Sequence, residues 1–98
     1  MTYKIDITED AEIDLSFFKP YERKIIITSI KDQLLHEPLK ETKNRKILRD
    51  NPIAPWELRS GKYRIFYEVI NKIGTVGVVA IGKKEHNVLY IRGKEVTI

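Results

Sequence analysis

Trp56-Glu57-Leu58-Arg59-Ser60-Gly61-Lys62-Tyr63-Arg64-Ile65-Phe66-Tyr67-Glu68-Val69 is the stretch that decides the fold. Trp56 to Arg59 alternates apolar and charged residues, the period-two pattern of a half-buried strand. Ser60-Gly61 reads as a tight turn, with the glycine free to take a positive φ. Tyr63 to Val69 is aromatic and β-branched, which suits a second strand. Two strands joined this closely must run antiparallel. With Ser60 and Gly61 as the two turn residues, Leu58 faces Tyr63 and Glu57 faces Arg64. Glu57, Arg59 and Arg64 then project from one face of the sheet.

Downstream, Asn71-Lys72-Ile73-Gly74 reads as another turn and Thr75 to Lys83 as a third strand. Glu85 to Asn87 turns again. Val88 to Ile98 carries mixed signals, for either a short hairpin around Arg92-Gly93 or a brief helix. Upstream, Tyr3 to Ile7 alternates as a strand, and Thr8 stands as a helix N-cap before Glu9, Asp10 and Glu12. Ala11, Ile13, Leu15, Phe17 and Phe18 supply apolar surface to a first helix, and Pro20 ends it or begins the next. Tyr21 to His36 reads as a second helix. The run Ile25-Ile26-Ile27-Thr28 argues locally for strand, but Ile30, Leu34 and Leu35 continue the helical period. Leu39 to Pro55 is a long basic connection with turn signals at Asp50-Asn51-Pro52 and Ala54-Pro55. The expected fold is α+β in a single domain: an N-terminal strand, then two helices packed on a three- to four-stranded antiparallel sheet. The helices cover one face and leave the other for polar groups.

Composition narrows the chemistry. The chain has 98 residues, a formal net charge of +4, no cysteine and two histidines, His36 and His86. Disulfides and thiolate metal sites are excluded, and no metal or other cofactor is expected. No apolar run approaches the roughly 20 residues that span a bilayer, and Met1 to Asp10 does not read as a signal peptide, so the expected location is cytoplasmic. Cations concentrate in the second half: Lys40, Lys43, Arg45, Lys46 and Arg49, then Lys83, Lys84, Arg92 and Lys94. A basic surface of this kind suits RNA, DNA or an acidic partner protein.

Two blocks carry a family resemblance: the stretch from Trp56 to Val69, and Ala80-Ile81-Gly82-Lys83-Lys84-Glu85-His86-Asn87-Val88-Leu89-Tyr90. Leu-Arg, a glycine turn, Tyr-Arg and an apolar strand, followed by Gly-Lys-Lys with a tyrosine six residues on, resembles the RelE/ParE superfamily of type II toxins. The resemblance implies a toxin held inactive by a cognate antitoxin. Its RelE-like branch implies cleavage of mRNA on the ribosome without a metal, the RNA 2′-hydroxyl attacking the adjacent phosphate. Its ParE-like branch implies poisoning of DNA gyrase, and a third alternative is an inactive relative that only binds antitoxin.

On the nuclease reading, Arg64 and Lys84 stabilise the phosphorane, and Tyr90 stacks on a base or acts on the 2′-hydroxyl proton. Glu57 and His86 are the candidate acid–base pair. Arg59, Lys83, Lys43, Arg45, Lys46 and Arg49 are candidate RNA-binding cations. The chain departs from the best-known RelE pattern, which places lysines where Glu57 and Pro55 stand here. Simpler roles are open for the same residues: a cross-strand ion pair for Arg64 and Glu57, a rim position for Tyr90, a turn for His86. The expected partners are the antitoxin, whose amphipathic helix and extended acidic segment would cover the basic face, the ribosome with mRNA, and operator DNA reached through the antitoxin complex.

Overall fold

Thr8 begins the first helix as its side chain suggests, accepting a hydrogen bond from the Ala11 N–H at 3.2 Å. The structure, a computed structural model, describes residues 2–70 and 74–97. Helix α1 spans Glu9–Ser16 and puts Ala11 and Asp14 inward. The chain turns over Phe17 to Lys19. The Lys19 N–H donates to Glu22 Oε1 at 3.1 Å, and Pro20 opens α2, which spans Pro20–Leu34. Glu22, Ile26, Ile30 and Leu34 form the buried stripe of α2. Burial of Ile26 and Ile30 outweighs the strand preference of the isoleucine run, since propensity differences are only tenths of a kcal/mol per residue.

The strands are β1 (Lys4–Ile7), β2 (Arg45–Ile47), β3 (Trp56–Ser60), β4 (Tyr63–Ile70), β5 (Thr75–Glu85), β6 (Val88–Ile91) and β7 (Lys94–Val96). They join in the order β2-β3-β4-β5-β6-β7, each antiparallel to its neighbour, while β1 lies parallel beside the first half of β5. The sheet is therefore wider than the three or four strands expected. Two segments account for the difference. Arg45 to Ile47, inside the basic connection, pairs with β3, and the tail forms the β6–β7 hairpin rather than a helix. Arg92 and Gly93 make its turn with φ of 55° and 72°. The turn expected over Asn71 to Gly74 falls mainly outside the described residues.

The register of the central hairpin corrects the sequence reading by one pair. Ser60 pairs with Tyr63, so Gly61 and Lys62 are the turn residues, with Gly61 at φ 57°. Arg59 therefore faces Arg64, and Glu57 faces Phe66. Because side chains alternate, Glu57, Arg59 and Arg64 still share a face.

The helices cover the other face. Leu58, Ile65, Tyr67, Val76, Val78 and Ile81 meet Ile26, Ile30 and Leu34 there, all at most 1% exposed. The face away from the helices is not wholly polar. Phe66 and Leu89 pack there under Leu48, Ile53 and Ala54 of the long connection. That connection is held by Asn51, whose Oδ1 accepts from the Ile53 and Ala54 amides at 2.8 and 3.1 Å.

Candidate functional site

Strand register places the sequence-derived candidates row by row. On the face away from the helices, one row runs Lys46, Glu57, Phe66, Ala80. The next runs Arg59, Arg64, Gly82, with Lys84 two residues beyond Gly82 on the same side of β5. Arg64 and Lys84 are thus diagonal neighbours, roughly 7–8 Å apart at the backbone. This open face gathers Lys46, Arg59, Arg64 and Lys84 around the buried carboxylate of Glu57.

Directly opposed arginines repel, and the surroundings of Arg59 and Arg64 show how the repulsion is managed. Glu57 is 6% exposed, and its Oε1 accepts from Arg59 Nε at 2.8 Å. Arg64 folds back on the hairpin turn and donates to the Gly61 and Tyr63 carbonyls at 2.8 and 2.9 Å. Partial burial pulls the Arg64 pKa below the ordinary arginine value, Glu57 opposing the change and Arg59 adding to it. Its planar fork retains donors for a phosphate at the mouth of the hairpin.

Tyr90 lies on the other side of the sheet. It pairs with Lys83, and Lys83 pairs with Tyr63, whose ring packs against Phe18 of the helix layer. Its neighbours Leu89 and Ile91 point the opposite way, toward Gly82. Lys83 follows Tyr90 to the helix side and pairs with Glu85 at 3.1 Å. His86 occupies the two-residue turn between β5 and β6 with φ 52°, followed by Asn87 at φ 65°. It stands four residues past the Arg64 row, roughly 13 Å along the strand. The structure therefore brings Glu57, Arg59, Arg64, Lys84 and Lys46 together, leaves His86 at the turn two residues beyond Lys84, and does not bring Tyr90 or Lys83 to them.

The remaining cations divide. Arg45 faces the helices, donating to the Gln33 carbonyl at 2.7 Å and the Lys40 carbonyl at 2.9 Å. It ties the end of α2 to the sheet edge and does not reach the open face. Lys43 and Arg49 are exposed on the connection, and Arg49 lines a 420 Å³ hollow with Leu48, Asp50 and Pro55.

Two buried acids, Glu22 and Asp14, have contacts with no counterpart in the sequence reading. Glu22 accepts from Tyr63 Oη at 2.8 Å and lies 3.8 Å from Lys62 Nζ. The Lys19 amide first, then Tyr63, hold its carboxyl below the ordinary range. Burial, then Glu22, pushes the Tyr63 hydroxyl up to about 12. Asp14, 2% exposed, accepts from the Ile81 amide at 3.0 Å and binds Arg92 Nε. The only signal in the sequence is that Asp14 and Glu22 fall on the inward arcs of their helices, where a carboxylate demands a partner.

Among the described residues no helix is long and apolar enough to cross a membrane, and no group of three or more side chains is placed to hold a metal ion. A comparison with curated proteins finds no match. Solved structures share the fold, two of them as follows. One is a RelBE2 toxin–antitoxin complex from Mycobacterium tuberculosis, with a TM-score of 0.70 and 24% identity, covering 86% of this chain and 100% of that one. The other is an archaeal RelE–RelB complex from Pyrococcus horikoshii, with a TM-score of 0.64 and 22% identity, covering 83% and 93%. The model of the ParE toxin of the type II toxin–antitoxin system parDE matches residues 5–88. A basic sheet face opposite a two-helix layer, in a chain that this model spans almost end to end, places the protein: it belongs to the ParE toxin family of type II toxin–antitoxin systems, within the RelE/ParE superfamily.

Proposed function

We propose that this toxin acts by binding its target through the open face rather than by cutting RNA, and that the target is DNA gyrase. The observation that carries this reading is the split of the candidate set across the sheet. Metal-free RNA cleavage needs a base for the 2′-hydroxyl and an acid for the leaving oxygen beside the charge-stabilising cations. Here Tyr90 and Lys83 lie on the side opposite Arg64 and Lys84, and His86 sits in the β5–β6 turn, four residues along the strand from the Arg64 row. Glu57, the carboxylate beside Arg59 and Arg64, is buried and held by Arg59. A surface whose arginines are held by Glu57 and by the hairpin backbone is suited to docking.

A second reading rests on a specific observation. Arg64 and Lys84 are diagonal neighbours, close enough to share one phosphodiester, and Glu57 stands next to them. In that reading the chain is an mRNA endonuclease that inhibits translation and must release Glu57 from Arg59 to work.

Adding the purified chain to gyrase, ATP and relaxed plasmid separates the two. Supercoiling is expected to fail with the parent chain and to return with Arg64→Ala or Lys84→Ala. Unimpaired supercoiling, together with fresh mRNA ends in a translating extract, would overturn the proposal. The partner in the cell is a cognate antitoxin, since both structural neighbours are toxin–antitoxin complexes. An acidic segment of it laid over Arg59, Arg64 and Lys84 would neutralise the working cations. Both readings place the protein in the cytoplasm, with no membrane and no cofactor, as one functional domain.

A further inference from the structure

Strand β1 is an edge of the sheet: among the described residues it pairs with β5 alone. Its even-numbered amides point toward β5. The Lys4 N–H donates to the Gly74 carbonyl at 2.9 Å and the Thr8 N–H to the Val78 carbonyl at 3.0 Å. Backbone groups alternate along a strand, so the N–H and C=O of Ile5 and Ile7 point the other way, out of the edge. Tyr3 follows the same alternation, but the Leu35 carbonyl at the end of α2 takes its N–H at 2.7 Å. The edge is thus closed at Tyr3 and open at Ile5 and Ile7, and an open edge is a template for a further strand.

Beside this edge a 420 Å³ groove separates β1 from α2, lined by Tyr3, Ile5, Ile7, Ile27, Ile30 and Leu35. A strand added to β1 sends the side chains opposite Ile5 and Ile7 into this groove, because they share that face. Its alternate side chains meet Lys4 and Asp6, which are exposed. Neither Lys4 nor Asp6 has an ion-pair partner within 4.0 Å among the described residues.

These charges select the occupant. Antiparallel pairing with a second copy through Ile5 and Ile7 would set Asp6 directly against Asp6, a repulsive contact. Setting Ile5 against Ile5 instead needs the Tyr3 edge, which Leu35 occupies. The complementary segment is a different chain, reading apolar, basic, apolar, acidic, with its basic residue opposite Asp6 and its acidic one opposite Lys4. An antitoxin is such a separate chain. β1 lies beside the first half of β5, whereas Arg64 and Lys84 lie at its second half, so one antitoxin can hold both places without competition.

We propose that a short extended segment of the cognate antitoxin adds to the sheet antiparallel to β1 at Ile5 and Ile7, and fills the groove against α2. This rests on the reading that an antitoxin holds the chain.

Amide exchange of the full chain, alone and in complex with its antitoxin, tests the assignment. The Ile5 and Ile7 amides are expected to exchange fast in the free chain and to be protected in the complex. Ile7→Pro removes an N–H that faces outward, which an edge strand tolerates, and should weaken the complex by about tenfold or more. Asp6→Lys, at an exposed position, should weaken it by about threefold to tenfold with an unchanged denaturation midpoint. A complex that forms while Ile5 and Ile7 still exchange fast overturns the assignment and leaves the antitoxin reading standing. Failure to form any complex overturns both. Protection of these amides in the free chain at high concentration would make a second copy the occupant and overturn the assignment too, as would two variants that bind as the parent does.

Discussion

Gly82 shows how tightly single residues constrain the site. A Cβ built there would meet the Tyr90 carbonyl oxygen at 2.4 Å and Ile91 Cγ1 at 2.9 Å. The first contact is with backbone, which cannot rotate away. Gly82→Ala is therefore expected to destabilise the fold by about 3 kcal/mol or more and to detach β6 from β5, read as a fall in denaturation midpoint and faster amide exchange over Val88 to Ile91. The Glu22–Tyr63 pair makes a pH-dependent prediction at the same scale. Glu22 is held below its ordinary value of 4.5, so its contribution is present above that pH and lost as pH falls further. Tyr63 is raised from 10 to about 12, so its contribution is present below pH 10 and lost between pH 10 and about 12. Tyr63→Phe should lower stability by about 1.5–3 kcal/mol at neutral pH and flatten the alkaline limb of a stability-versus-pH curve. An unchanged alkaline limb would count against the pair.

At the scale of elements, α1 and the C-terminal hairpin are fastened by one clip. Arg92, in the β6–β7 turn, reaches Asp14 Oδ1 and the Asp10 carbonyl, while Asp14 Oδ2 takes the Ile81 amide. Arg92→Ala would leave a buried carboxylate with one amide donor. A loss of about 2–3 kcal/mol is expected, with Arg92→Lys recovering part of it, measured by urea denaturation. Most elements were legible in the sequence because they follow from local chemistry: the Thr8 cap, the Pro20 start, the alternation of Trp56 to Arg59. The hairpin register was not, since either Ser60-Gly61 or Gly61-Lys62 supplies a glycine for the turn, and only pairing across the sheet decides between them. Strand β2 was hidden because Arg45 to Ile47 has a single aliphatic residue. Its strand character comes from hydrogen bonds to β3 and from Arg45 capping the end of α2.

For the molecule as a whole, the two faces of one sheet differ in what they carry. The covered face holds the helices and the core, with Tyr90 and Lys83 at its margin. The open face carries Lys46, Arg59, Arg64 and Lys84 around Glu57. The sequence placed Glu57, Arg59 and Arg64 on one face, as the register has them, because alternation along a strand is a local property. It could not show that Tyr90, six residues after Lys84, emerges on the opposite side. That follows from the two-residue turn at His86-Asn87, which sets Lys84 against Leu89 and Lys83 against Tyr90. Growth arrest on induced expression, scored by colony counts for Arg64→Ala, Lys84→Ala and Tyr90→Phe alongside the parent, tests this division most directly. The account predicts arrest abolished by the two cation substitutions and retained with Tyr90→Phe. Arrest lost with Tyr90→Phe and retained with Arg64→Ala would contradict it.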